Sequence, residues 1–183
     1  MGYLRAILAV LFMATLPSAY GGSCFKDYDV DDCRVKAEQG DARSQGRLGG
    51  LYNTGQGVVQ DYKEAVKWFR LAAEQGDSSA QHSLGLRYTN GQGVVQDYRE
   101  AVKWWKKAAE QGHSLAQHNL GLRYYLGQGV IQDYVMAHMY WNIASVSGDK
   151  DAIELRGIVE KDMTSSQIAE AQKLAREWMR THQ

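Results

Sequence analysis

Residues 73–108 read AEQGDSSAQHSLGLRYTNGQGVVQDYREAVKWWKKA, and the same 36-residue pattern stands directly before it at 37–72 and directly after it at 109–144. The first two copies agree at 23 of 36 positions. A tandem period of this length marks stacked supersecondary units, none of which buries its own apolar face alone. Within each unit, Ala-Glu-Gln-Gly (Ala37 to Gly40, Ala73 to Gly76, Ala109 to Gly112) ends one helix on a glycine that tolerates the left-handed conformation. Asp41 and Asp77, with His113 as a weaker substitute, then cap the next helix. Ala80, Leu84, Gly85 and Tyr88 repeat as Ala116, Leu120, Gly121 and Tyr124, a spacing that makes one helical face. A glycine in mid-helix costs about 1 kcal/mol against alanine, so its recurrence predicts the close approach of another helix backbone.

Gly-Gln-Gly (Gly55 to Gly57, Gly91 to Gly93, Gly127 to Gly129) reads as the turn, followed by two β-branched residues, a glutamine and a second helix opened by Asp-Tyr. Asp61 with Glu64 and Asp97 with Glu100 have capping-box spacing, which Met136 breaks in the third unit. The second helix is expected to bury Tyr62, Ala65, Val66, Phe69 and Ala72, with Trp68, Trp104 and Tyr140 at one repeated position. The fold class that follows is all-α, a right-handed α-solenoid of antiparallel helix pairs. A half-unit ending at Glu38 precedes the array. Asp149 to Glu160 reads as a degenerate fourth first-helix, and Thr164 to His182 as a closing helix with Ile168, Ala171, Ala175 and Trp178 on one face.

Outside the array, Met1 to Leu16 carries Arg5 and then an uncharged apolar run before Pro17 and several small residues, the three-part pattern of a secretory signal peptide. The run is too short for the roughly 20 residues of a membrane-spanning helix, so residues 1–22 are read as a removed leader, with no stable membrane insertion afterwards. Two cysteines near the start of an exported chain, Cys24 and Cys33, are expected to form one disulfide. The organisation is then 23–36 as an N-terminal cap, 37–72, 73–108 and 109–144 as repeats, and 145–183 as a degenerate repeat with its capping helix. The expected location is periplasmic or extracellular.

The run Ala-Glu-Gln-Gly-Asp, Ala-Gln-x-x-Leu-Gly, Tyr, Gly-Gln-Gly-Val, Gln-Asp-Tyr, Ala-Val-Lys-Trp resembles the Sel-like repeat family, relatives of the tetratricopeptide repeats. The resemblance covers residues 37–148 closely. It implies a bacterial, often exported, protein-interaction scaffold linked to envelope assembly, signalling or host contact. Some cysteine-rich members are linked to β-lactam binding; they carry a cysteine pair in each repeat, which this chain does not.

Charge and motifs narrow the function further. Lys plus Arg total 21 and Asp plus Glu total 21, which leaves no basic excess for phosphate-driven nucleic-acid binding. The Gly-x-Gly turns have no third glycine at the spacing of a dinucleotide loop. Ser-x-x-Lys occurs at Ser23 to Lys26 and Ser147 to Lys150, without the Ser-Asp-Asn and Lys-Thr-Gly partners of a β-lactam enzyme. His82 and His118 are equivalent residues of successive units, expected roughly 10 Å apart by helix-packing distances, too far for one metal. Neither a cofactor nor an enzymatic activity is assigned.

What remains is a face. Gln81, His82, Arg87 and Asn90 in the second unit and Gln117, His118, Arg123 and Tyr125 in the third lie away from the Ala, Leu, Tyr stripe and stack into columns. Such faces bind extended partners, here a protein or peptide. Unit one has Gly46 and Leu51 in place of His82 and Arg87. Replacing Arg87 and Arg123 together is expected to weaken partner binding at unchanged melting temperature. The alternatives are a β-lactam-interacting enzyme and a glycan or peptidoglycan binder using aromatics such as Tyr125.

Overall fold

The computed structural model describes Cys24 and residues 29–182; the leader assigned to residues 1–22 lies outside them. Among the described residues the chain is helical throughout: α1 (Val30–Glu38), α2 (Ala42–Thr54), α3 (Tyr62–Glu74), α4 (Ser78–Asn90), α5 (Tyr98–Glu110), α6 (Ser114–Leu126), α7 (Tyr134–Val146), α8 (Lys150–Val159), a 3-10 turn (Glu160–Asp162) and α9 (Ser165–Thr181). Helix pairs α2/α3, α4/α5 and α6/α7 pack most extensively, each pair then leans on the next, and the result is a right-handed α-solenoid.

The helix starts follow from their caps. Asp41 and Asp77 accept from the backbone N–H groups of Ser44 and Ala80, and His113 Nδ1 does the same for Ala116 at 3.3 Å. Asp61, Asp97 and Asp133 cap the second helices, accepting from Glu64, Glu100 and Met136. The reciprocal half of the capping box does not form. The backbone N–H of each cap residue already donates to the first helix, Asp61 to Tyr52, Asp97 to Tyr88 and Asp133 to Tyr124, each at 2.9 Å. Glu64 and Glu100 instead pair with Lys67 and Lys103, so Met136 disrupts nothing. Gly55, Gly91 and Gly127 end the first helices with φ between 65° and 75°.

Close backbone approach does exist, but at the turn and not in mid-helix. A Cβ on Gly93 would lie 2.1 Å from the carbonyl oxygen of Tyr62, and one on Gly129 2.3 Å from that of Tyr98. The mid-helix glycines face rings: Gly49 faces Phe69, Gly85 faces Trp105 and Gly121 faces Trp141. The expectation of a second helix backbone there is corrected to an aromatic ring edge.

The core runs through the pair interfaces as successive clusters, Ala65, Val66, Phe69 and Leu84 in one and Val102, Trp105, Leu120 and Ile143 in another. At the N-terminal end Cys24 and Cys33 are joined by a disulfide and buried with Leu48, Leu51 and Trp68. At the other end α9 packs against α7, burying Ala171 and Ala175, and opens on a full capping box between Thr164 and Gln167. No helix among the described residues is long and apolar enough to cross a membrane.

Candidate functional site

The residue at the His82 position of α2, α4 and α6 faces the cap residue of the next first helix, that of α4, α6 and α8 in turn. His118 Nδ1 lies 2.9 Å from Asp149 Oδ2. His82 stacks on His113 with ring centroids 4.7 Å apart, and its Nε2 lies 3.2 Å from Asn119 Nδ2. Burial, aided by the neighbouring charge of His113, holds the His82 imidazole down to about 4. Burial likewise lowers His113, against the opposing pull of Asp77. Gly46 faces Asp77 across the equivalent gap, with no side chain to fill it.

The other residues assigned to the face divide by burial. Asn90 is exposed, while His82, Arg87, His118 and Tyr125 are half-buried. Gln81, Gln117 and Arg123 are buried, a correction to their expected place on an open surface. The amides of Gln45, Gln81 and Gln117 donate to the carbonyls of Ala37, Ala73 and Ala109, the end of the preceding helix. Gln75 and Gln111 donate onward to Gln45 at 2.7 Å and Gln81 at 2.9 Å. These glutamines are rungs between helices, adding a second donor to carbonyls that also accept from the backbone N–H groups of Gly40, Gly76 and Gly112.

Both arginines are engaged within the chain, Arg87 half-buried and Arg123 buried. Arg87 Nη1 donates to Asn53 Oδ1 at 2.6 Å while its guanidinium lies 5.4 Å from the Tyr62 ring centre. Arg123 donates to Gln128 and stacks over Tyr98 at 5.4 Å and Trp105 at 6.0 Å. Burial pushes both guanidinium groups below their ordinary value. Tyr125 stacks on Tyr134, centroids 5.6 Å apart, so part of its ring is occupied within the chain.

Two features escaped sequence reasoning. In the paired β-branched positions, Val58, Val94 and Val130 pack against the core, but Val59, Val95 and Ile131 are 88%, 88% and 90% exposed, an apolar row along the turns. The signal for it was the same aliphatic pair recurring in every unit. Second, a cavity of about 290 Å³ opens between α2 and α4, lined by Gly46, Phe69, Asp77, Ser79, Ala80 and Ser83 together with Arg43 and Arg47. Among the described residues no group of three or more His, Cys, Asp or Glu stands where it could hold a metal.

Comparison with known proteins agrees with this architecture. The Sel1 repeat family matches residues 42–77, 78–113 and 114–149, each span beginning at the first residue of α2, α4 or α6. The structure of c5321, a protective antigen of uropathogenic Escherichia coli with an SLR fold, superposes with a TM-score of 0.65 at 33% identity. That match covers 84% of this chain but only 41% of the antigen's length. A Sel1 repeat protein from Oxalobacter formigenes gives a TM-score of 0.64 at 36% identity, covering 70% of this chain and 97% of its own. Helicobacter pylori cysteine rich protein B shares the fold at a TM-score of 0.55 and 22% identity, over 69% of this chain and 94% of that one. No curated protein matches. Three tandem helix pairs with these turns, and a family match spanning all three, place the chain in the Sel1 repeat family.

Proposed function

We propose that the chain is an exported, non-enzymatic scaffold that binds a protein or peptide along the face formed by α2, α4 and α6. The observation that carries this reading is the row of gaps between consecutive first helices. Two are filled by the chain's own imidazoles, His82 and His118, and the gap at Gly46 is open to solvent. Extended faces of this kind are the recognition surfaces of solenoid proteins. The disulfide between Cys24 and Cys33 supports export to an oxidising compartment, and the leader pattern of residues 1–22 supports the same route.

The test is crosslinking mass spectrometry in the native envelope, comparing wild type with a Ser79→Glu, Leu115→Glu double variant. Both positions are exposed in the first turn of α4 and α6, where a carboxylate is compatible with the helix dipole, so the variant is expected to fold. A protein captured by wild type and lost in the variant supports the face. Equal capture by both overturns it. Capture by neither overturns the protein-scaffold reading; binding to purified sacculi or turnover of a chromogenic β-lactam would then identify which alternative replaces it.

A further inference from the structure

The open gap differs from the filled ones at two positions of the repeat at once. In α4/α5 and α6/α7 the indole Nε1 of Trp105 donates to the carbonyl of His82 at 3.1 Å, and that of Trp141 to the carbonyl of His118 at 3.2 Å. The same places in α2/α3 hold Phe69, which has no ring N–H, and Gly46, which has no side chain. The chain therefore lacks both N–H heterocycles there, while the groups that would receive them remain. Asp77 occupies the place of Asp149, whose carboxylate bonds the His118 ring; a Cβ on Gly46 would sit 3.8 Å from the Asp77 carboxylate. Ser83 occupies the place of Asn119, which reaches the far nitrogen of the His82 ring. Phe69 and Ala80 supply the apolar floor of the 290 Å³ cavity that results.

We propose that this gap is a binding site for a five-membered N–H heterocycle, and that in a peptide partner its occupant is a histidine side chain, a proposal that rests on the peptide-binding reading above. The ring donates one N–H to the Asp77 carboxylate, as His118 does to Asp149, and turns its second nitrogen toward Ser83, whose hydroxyl donates to the Ser79 carbonyl at 2.8 Å in the empty gap and swings to the ring when it is filled. The selectivity is for a flat donor ring over an aliphatic side chain, because the latter would leave the Asp77 carboxylate desolvated without a new partner.

The experiment titrates the isotope-labelled mature chain with 4-methylimidazole and N-acetylhistidine methylamide, with N-acetylalanine methylamide as control, and follows amide resonances by NMR. Saturable shifts at Gly46, Ser79 and Ser83, with a dissociation constant on the order of 1–10 mM for so small a ligand and none from the alanine amide, support the site. A Gly46→His, Phe69→Trp double variant installs the residues the chain itself uses in the next two pairs, and is expected to weaken binding by about tenfold or more. Gly46→Leu offers a second way to fill the gap, because the Cβ position has ordinary clearance from Ala72 and Asp77. Absence of shifts at these amides, or equal shifts in both filled variants, overturns the proposal. The partner reading is scored separately by crosslinking. A partner captured equally by wild type and the filled variants overturns the histidine occupant and leaves the scaffold standing. Heterocycle binding with no partner captured overturns the scaffold and leaves the ring site standing.

Discussion

The indole nitrogen of Trp105 occupies the space where Gly85 would carry a side chain: a Cβ built on that glycine lies 2.3 Å from it. Helix propensity alone says that Gly85→Ala gains about 1 kcal/mol, whereas overpacking a rigid ring costs about 1–3 kcal/mol, so the sign of the change reports the contact. Gly85→Ala is expected to destabilise. Gly50→Ala, in α2 with nothing within 4 Å of its Cβ, is expected to stabilise by about 0.5–1 kcal/mol. Urea unfolding of the two variants checks both; a stabilised Gly85→Ala sinks the packing account.

Arg87 and Arg123 are expected to matter for stability before they matter for any partner. Their guanidinium groups lie over Tyr62 and Tyr98, and Arg123 is 7% exposed, so truncating it removes a desolvated cation-π contact worth about 2 kcal/mol. The Arg87→Ala, Arg123→Ala variant should therefore melt at a lower temperature than wild type by calorimetry. An unchanged melting point returns both residues to the surface role expected from the sequence.

Acid should loosen the boundary between the second and third repeats. His82 is held down to about 4 in the folded chain and has an ordinary value of 6.5 when unfolded, so the unfolded state binds more protons in that window. Stability is expected to fall as the pH drops from about 6.5 towards 4 and to level off below. Asp32 and Asp41, lowered by their hydrogen bonds to Lys36 and Ser44, lose their contribution only below their ordinary value of 3.8. Urea midpoints at pH 8, 6 and 5 for wild type and His82→Gln separate the share of His82 from that of His113, whose imidazole is also lowered by burial; an identical slope in both proteins excludes His82 as the cause.

Reducing the disulfide is expected to act locally. Its closure is worth about 2–3 kcal/mol in the chain-entropy model, and Cys24 is also tied to α1 through its backbone N–H to Asp32 at 2.9 Å. Hydrogen exchange after reduction should rise across α1 while α4 to α7 keep their protection, because stacked units lean on their nearest neighbours. Uniform loss of protection would show a more cooperative array than the contacts imply.

The repeat, the helix pairing and the cap residues were legible because each copy meets the same environment, so necessity shows as recurrence. The binding face was less so. Gln81 and Gln117 read as surface residues because an amide on a helix is polar, but each reaches back into the interface and donates to the carbonyl of Ala73 or Ala109 at the end of the preceding helix. Arg123 read the same way, and only the packing of one pair on the next places Tyr98 and Trp105 beneath it. Gly46 and Phe69 were each visible as departures from the pattern. That they adjoin one cavity is a fact of three dimensions, since 23 positions separate them along the chain.

The disulfide spans only nine positions, and the fold-back of α9 onto α7 lies at the opposite end of the array. A chain emerging N-terminus first can close its covalent clasp before any helix pair exists, then add pairs one at a time against a finished neighbour. The two ends of the array are thereby closed by unlike means, a covalent clasp at one and the latch of a terminal helix at the other, and the principal contacts between them join helices close together in the chain.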